Sequence, residues 1–305
     1  MARVAVYYQT FPPSGLLPIM TNPPLVTHIY VAALHFGKSA DGAPYIHLND
    51  APPEAAPIWP DIRAAVELGA KCSVMVGGAG GGFAALFADY LAHYAQLKNF
   101  LEQHPEVTGV DLDVEEPVTL ENVQWLLSDL RSDFPRHRLT LAPVVSSLSD
   151  DAPGLGGFSY KELWNSPAGS AIDYFNCQVY SGGSAEELVS AYDAVVANGY
   201  SPERVVLGVM SGTDPGPAAA ALTKKYGARF GGVFTWEFFD AQPDPAAWAR
   251  EVRAAMQLEA PAPPGDGTSR SLPRADPPAA AENLDWCAAV TNLFHNLLAA
   301  LHSRV

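Results

Sequence analysis

The sequence predicts an α/β protein whose parallel strands close into a (β/α)8 TIM barrel. Short apolar runs alternate with amphipathic segments from residue 3 to residue 257. Eight of the apolar runs have the length of a strand. Eight strand–helix units over ~250 residues are typical of this barrel. An open, doubly wound sheet shows the same alternation, but no glycine-rich nucleotide loop follows the first strand, which favours the barrel.

The predicted strands are short runs of aliphatic and aromatic residues bounded by turn-forming residues. They span 3–8, 27–34, 72–77, 108–115, 138–144, 174–180, 204–210 and 231–236. A small hairpin is expected within residues 36–58, after the second strand. Apolar residues three or four positions apart predict helices between the strands, at 82–102, 119–133, 185–198, 215–226 and 244–257.

Composition limits the function classes. The net charge is −15 and no run of Lys or Arg stands out, so binding to nucleic acid or to an anionic membrane is not expected, whereas a neutral glycan is compatible. The three cysteines lie far apart and form no disulfide framework, and the strand positions of Cys72 and Cys177 predict buried thiols. No apolar run reaches membrane-spanning length. The first residues enter a strand without a signal-peptide core, which predicts a cytoplasmic protein, or a secreted one if a leader was removed.

The composition changes after residue 257. We expect a catalytic barrel over 1–257, a Pro/Ala-rich linker over 258–280 and a C-terminal helix over 281–305. An apolar stripe runs along 281–302 (Cys287, Val290, Phe294, Leu297 and Leu301). Such a stripe must be buried. Docking on the barrel, self-association and docking of a partner protein all remain open.

The stretch 109–116 carries the strongest functional signal. Asp111, Asp113 and Glu115 alternate with aliphatic residues, so in a strand the three carboxyl groups share one face. A rise of ~3.3 Å per residue starts Asp113 and Glu115 roughly 6.6 Å apart. A solvated edge strand could carry this face without consequence, but the aliphatic partners favour a buried strand. Burying like charges together raises at least one pKa and produces a proton donor near neutral pH.

These residues resemble glycoside hydrolase family 18. The family signature Asp-x-x-Asp-x-Asp-x-Glu matches 108–115, with Thr108 in place of the first acid. The resemblance covers nearly all of 1–257, through Gly77-Gly78 after the third strand, the Gln/Tyr motif at 174–180 and the Trp motif at 231–237. Further stretches resemble the fungal branch that includes endo-β-N-acetylglucosaminidases: 17–19, 27–28, 47–50, 139–143, 157–160 and 236–239.

The resemblance implies a retaining, substrate-assisted glycosidase that cleaves GlcNAc-β1,4-GlcNAc. Glu115 is then the proton donor, Asp113 stabilises the oxazolinium ion, and Asp111 shares a proton with Asp113 or is purely structural. The remaining predicted site residues bind and orient the substrate: Tyr180 holds the acetamido oxygen, Trp236 forms the floor under the sugar, and Gln178, Asn176, Gly77 and Gly78 complete the site. No cofactor is expected, and the histidines show no metal-ligand spacing.

Three functional alternatives stay open. The resemblance to the fungal branch favours a GlcNAc-containing glycoprotein, cut at the N-glycan chitobiose core, over chitin oligomers. Only about twenty residues separate the last two strands, which leaves no room for the small insertion that walls the groove of some chitinases and predicts an open cleft. A non-catalytic, chitinase-like sugar-binding protein is the third alternative, although both acids that such proteins lose are present here.

Overall fold

Eight parallel strands close on themselves within residues 2–258, the part of the chain that the computed structural model describes. The described residues form nine strands, of which all but β3 belong to the ring: β1 Arg3–Tyr8, β2 His28–Lys38, β3 Pro44–Leu48, β4 Lys71–Gly77, β5 Val107–Asp113, β6 Arg138–Leu141, β7 Tyr174–Gln178, β8 Val205–Met210 and β9 Gly232–Trp236. Their order is β1-β9-β8-β7-β6-β5-β4-β2, and a parallel β1–β2 pairing closes the ring. The predicted (β/α)8 barrel is therefore confirmed, and the open sheet is excluded.

Strand β3 lies outside the ring. It pairs antiparallel with the distal half of β2, from Leu34 opposite Leu48 to Lys38 opposite Pro44. The two strands form the hairpin predicted within 36–58, and it projects from the carboxyl-terminal end of the barrel, where active sites of this fold lie.

The helices are α1 Trp59–Glu67, α2 Phe83–Ala88, α3 Tyr90–Gln103, α4 Leu120–Asp133, α5 Ser146–Ser149, α6 Tyr160–Asn165, α7 Ala185–Ala197, α8 Gly216–Tyr226 and α9 Pro245–Ala255. The prediction of one helix over 82–102 is wrong, because Asp89 adopts a φ of −148° and separates α2 from α3 as the N-cap of α3. Asp favours such caps over helix interiors. Between β8 and β9 lie only α8 and one short 3-10 turn, in agreement with the expected lack of an insertion.

The strand residues are divided between two apolar clusters. Val4, Val6 and Tyr8 of β1 belong to the large cluster between the sheet and the helices, whereas Ala5 and Tyr7 belong to a smaller one. This period of two assigns the smaller cluster to the barrel interior. Its other members are Tyr30, Ala32, Ala33, Met75, Tyr174, Val206 and Phe234. Aromatic side chains thus fill the axis beneath the barrel mouth.

Several further expectations concern the rest of the chain. Cys72 and Cys177 are buried free thiols, as predicted, and burial raises the pKa of each to about 12. None of the helices within residues 2–258 is long and apolar enough to cross a bilayer. The predicted C-terminal helix and all but the first residue of the predicted linker lie outside the described residues.

Candidate active site

The acidic motif lies on the inner face of β5 and at its exit from the sheet. Asp111 and Asp113 are buried, while Val110 and Leu112, which alternate with them, pack in the outer cluster, so the predicted alternation is confirmed. The predicted strand end is wrong, however: β5 ends at Asp113, whose register partner Gly77 is the last residue of β4. Without a neighbour to pair with, the chain leaves the ladder, and Glu115 stands two residues beyond it.

Asp111 accepts hydrogen bonds from three other barrel strands. The Tyr7 hydroxyl of β1 donates to Oδ2 at 2.7 Å, and the Asn176 amide of β7 donates to Oδ1 at 3.0 Å. The Thr140 hydroxyl of β6 also donates to Oδ1. Burial raises the pKa of Asp111, and the three donors act against that rise. These contacts support an ionised acceptor, and the proposed sharing of a proton with Asp113 stays a prediction.

Asp113 and Glu115 form an electrostatic pair. Burial raises the pKa of Asp113 well above its ordinary value, and the negative charges of Glu115 and Asp111 add to the rise. Burial also raises the pKa of Glu115, to about 7. Gln178 counteracts both shifts, since its Nε2 donates to Asp113 Oδ1 at 3.0 Å and also to the Ala142 carbonyl oxygen at 2.8 Å. The pair therefore retains a transferable proton near neutral pH.

Gly77 and Gly78 let the backbone approach Asp113. Gly77 has a φ of +93°, and a Cβ there would stand 2.5 Å from the Asp113 carbonyl oxygen. The Gly78 N–H donates to that same oxygen at 2.8 Å. Both glycines are therefore needed for close packing and for a left-handed backbone, and they hold the catalytic strand from one side.

Tyr180 and Trp236 cover the inner cluster at the mouth. Each is half-buried and packs against that cluster, and the Trp236 ring lies 5.3 Å from the Tyr7 ring. The pKa of Tyr180 is raised well above its ordinary value by burial and by the charges of Asp113, Glu115 and Asp111. Tyr180 thus lies within electrostatic range of all three acids, and Trp236 is connected to Asp111 through Tyr7.

Ser211 and Glu237 fix the backbone on both sides of Trp236. The Ser211 backbone N–H and hydroxyl donate to the Trp236 carbonyl oxygen at 2.6 and 2.7 Å. The Glu237 N–H donates back to Ser211 Oγ at 2.7 Å. The buried Glu237 carboxylate accepts from the N–H groups of Gln9 and Thr10 at 3.1 and 2.8 Å, and from the Thr10 hydroxyl.

Asn49 continues this series of contacts to β2. Its Nδ2 donates to the Gln9 carbonyl oxygen at 3.1 Å, and its Oδ1 accepts from the Ala33 N–H at 3.2 Å. We call the connected set Ser211, Trp236, Glu237, Gln9, Thr10, Asn49 and Ala33 the rim belt. It links the carboxyl-terminal ends of β8, β9 and β1 to Ala33 within β2.

Sequence analysis missed several members of the site. Tyr7, Thr140, Glu237, Ser211 and Asn49 were assigned no role. Tyr7 follows Ala5 by two positions on the first strand, and this parity was a usable signal for an inward-facing side chain. The others contact the site through loops or distant strands, for which the local sequence offers no pattern. Within residues 2–258 no group of three or more His, Cys, Asp or Glu side chains is arranged to hold a metal ion.

A closed barrel with a buried pair of carboxyl groups of raised pKa at its mouth, beside half-buried aromatic residues, is the arrangement expected of an acid-catalysing barrel hydrolase. Neither a family model nor a curated protein matches the sequence. Solved structures do. A fungal endo-β-N-acetylglucosaminidase from glycosyl hydrolase family 18 is 33% identical, with a TM-score of 0.74 over 84% of this chain and 98% of that one.

Two further structures extend the comparison. A chitinase from Aspergillus fumigatus is 34% identical, with a TM-score of 0.71 over 84% of this chain and 100% of that one. A family 18 chitinase from Pseudoalteromonas aurantia, 19% identical with a TM-score of 0.64, shares the fold over 83% of this chain and 100% of that one. The chain belongs to glycoside hydrolase family 18, and it is a glycoside hydrolase.

Proposed function

We propose that the protein cleaves GlcNAc-β1,4-GlcNAc bonds with retention of configuration, and that its substrate is the chitobiose core of N-glycans. The observation that carries this proposal is the pairing of Glu115, whose pKa is about 7, with the buried Asp113 at the mouth of the barrel. One carboxyl group is able to donate a proton there while its neighbour stabilises positive charge.

In the first step, Glu115 transfers its proton to the glycosidic oxygen as the bond from that oxygen to the anomeric carbon breaks. The acetamido oxygen of the substrate attacks the same carbon and closes an oxazolinium ring, in the substrate-assisted manner of this family. Asp113 accepts a hydrogen bond from the acetamido N–H and stabilises the positive charge. Water then attacks the anomeric carbon, gives its proton to Glu115, and opens the ring, so the configuration is retained.

The other site residues support these steps by position. Tyr180 orients the acetamido oxygen toward the anomeric carbon. Trp236 forms an apolar floor for the sugar ring, at a backbone position fixed by the rim belt. Asn176 donates to Asp111 Oδ1, and the Gln178 Nε2 group donates to Asp113 Oδ1, so both side chains act on the acids. The buried Gln178 Oε1 atom has no partner among the described residues and can accept a hydrogen bond from the sugar, in keeping with the prediction that Gln178 binds substrate.

The choice of substrate rests on the comparison with the fungal endo-β-N-acetylglucosaminidase. Chitin oligomers are the second candidate, because the Aspergillus chitinase is equally similar to the chain. Both substrates present the same disaccharide at the cut, so the acids do not discriminate between them.

The deciding experiment incubates the full-length protein with an oligomannose glycoprotein and, separately, with chitin oligomers. We expect the glycoprotein to lose mass on a denaturing gel, and the released glycan to end in a single GlcNAc. Cleavage of chitin oligomers alone would transfer the assignment to the second candidate.

A matched variant tests whether the protein is catalytic at all. Glu115→Gln keeps the size of the side chain but has no proton to give, so we expect kcat to fall by about 10²–10⁴-fold while oligosaccharide binding remains. Binding without cleavage by the unmodified protein would instead favour the non-catalytic sugar-binding alternative.

A further inference from the structure

The hairpin formed by β2 and β3 presents a line of aromatic and imidazole rings on one face. His35 is paired in register with His47, and Gly37 with Tyr45, so their side chains share this face. The ring centroids of His35 and His47 are 5.2 Å apart, and those of His47 and Tyr45 are 5.7 Å apart. We call these three side chains the hairpin ladder.

The hairpin ladder lies on the barrel-axis side of the hairpin. Ala33 belongs to the inner cluster, and His35 follows it by two positions on the same strand face. The opposite face carries Leu34 and Phe36, which are buried in the outer cluster, and Phe36 packs against His93 of α3 at 5.6 Å. The apolar face therefore anchors the hairpin to the helices, and the ladder faces the space above the mouth.

The inner end of the ladder adjoins the acids. His35 lies beside the glycine loop that follows Gly77, and Gly77 is the register partner of Asp113. The His35 ring also lies so close to Gly80 that a Cβ there would stand 2.7 Å from its Nε2. The ladder thus starts one strand away from the cleavage site and leads outward along the hairpin.

The outer end of the ladder is an open aromatic surface. Tyr45 is two register positions beyond His35, roughly 6.6 Å further from the barrel at ~3.3 Å per residue. Its ring lies over Gly37, where a Cβ would stand 2.6 Å from Tyr45 Cζ, so the absent side chain makes room for the ring. Tyr45 nevertheless remains 44% exposed. The ring therefore rests on the backbone at Gly37 and still has surface for a ligand.

We propose that Tyr45, assisted by His47, is a sugar-binding platform for a residue of the glycan remote from the bond that is cut. An exposed aromatic ring with a hydroxyl, beside an imidazole, offers an apolar face and polar groups together, which suits a pyranose. A protein of net charge −15 favours such a neutral ligand. This inference rests on the proposed function, since it takes the ligand to be the far part of the same substrate.

The test compares long and short substrates in full-length variants. The long substrates are a chitin hexasaccharide and an oligomannose glycopeptide, and the short one is nitrophenyl chitobioside. We expect Tyr45→Ala to raise KM for the cleaved long substrate about tenfold, equivalent to about 1.4 kcal/mol, with kcat changed less than twofold. The rise for the short substrate should be at least fivefold smaller, and Tyr45→Phe should stay close to the unmodified protein.

Trp125→Ala is the matched control. Trp125 is 50% exposed and lies on α4, in the outer ring of helices, so its removal takes away a similar aromatic surface far from the hairpin. We expect no change with either substrate. An equal effect of Tyr45→Ala on long and short substrates, or the same effect from Trp125→Ala, would overturn the platform.

A binding measurement separates this inference from the proposed function. In a Glu115→Gln background, calorimetric titration with the hexasaccharide should give a Kd about tenfold weaker when Tyr45 is also replaced by Ala. If the unmodified protein binds the hexasaccharide but cleaves neither it nor the oligomannose glycoprotein, the proposed function fails and the platform is still tested by this comparison. An unchanged Kd refutes the platform.

Discussion

Replacing Gln178 by Leu tests how the carboxyl pair is tuned. The Gln178 amide donates to Asp113 Oδ1 at 3.0 Å and lowers the pKa values of both Asp113 and Glu115. Leu is of similar size, has no hydrogen-bond donor and is compatible with the buried position on β7. The substitution therefore removes a stabiliser of the ionised pair without emptying the space.

The size of the effect follows from the hydrogen bond. A hydrogen bond to a charged group contributes about 1.5–3 kcal/mol, and one pKa unit is about 1.4 kcal/mol, so the pKa values should rise by roughly one to two units. In the proposed mechanism Glu115 must be protonated to act, so we expect activity to be lost as the pH rises through its pKa of about 7. Raising that pKa moves the alkaline limb of the pH profile upward, to about pH 8–9.

The assay is kcat/KM for nitrophenyl chitobioside between about pH 4.5 and 10, in stopped reactions at constant ionic strength. Thr140→Val is the control: Thr140 donates to Asp111, whose charge acts on Asp113 and not directly on Glu115, so its alkaline limb should move less than that of Gln178→Leu. An alkaline limb that does not move in Gln178→Leu, or that moves downward, would refute the account of the tuning. An equal shift in Thr140→Val would show that the effect is not specific to Gln178.

Three other predictions concern stability. Folding raises the pKa of Glu115 from 4.5 to about 7, so the native protein loses stability as the pH rises across that range. Glu115→Gln should therefore raise the free energy of unfolding at pH 8 by up to about 3 kcal/mol in urea titrations. A stabilisation at pH 8 that is no larger than the one at pH 5 would contradict this. Glu237→Ala leaves the N–H groups of Gln9 and Thr10 without their acceptor and should lower the free energy of unfolding by about 2–4 kcal/mol in the same titrations. Glu237→Gln keeps an amide oxygen that accepts from both groups, so it should cost less than half as much. Equal losses in the two variants would argue against these contacts. In Gly77→Ala the new Cβ would clash with the Asp113 carbonyl oxygen, and the positive φ is unfavourable for Ala, so we expect the free energy of unfolding to fall by about 2 kcal/mol or more. Gly42 also has a positive φ but is surrounded by open space, so Gly42→Ala should cost less.

The barrel was predictable because its strands are continuous apolar runs, and the period of two assigned Asp111 and Asp113 to one face. What the local sequence did not reveal was where pairing stops. The strand β5 ends at Asp113 because β4 ends at Gly77, and the end of one strand therefore depends on its neighbour. The prediction carried the strand on to Glu115 because the alternation itself continues.

The surroundings of the acids were less predictable than the acids. Asp111 receives its donors from Tyr7, Thr140 and Asn176, each on a different strand. Such contacts are set by barrel closure and register, which no spacing within a single motif encodes. For the same reason, the sequence did not predict that the Gln178 Nε2 group donates to Asp113 and to the backbone of Ala142, contacts that leave the Gln178 Oε1 atom without a partner among the described residues.

The rim belt fixes the backbone around Trp236 independently of the loops further out. Its contacts join the ends of β8, β9 and β1 to Ala33 within β2, so the position of Trp236 depends little on those loops. The hairpin tip at Ser39–Ala43 and the turn at Gly212–Pro215 lie outside the belt. We expect that exchanging either loop reshapes the groove for another glycan while the residues at the mouth stay in place, which makes these loops suitable positions for engineering selectivity.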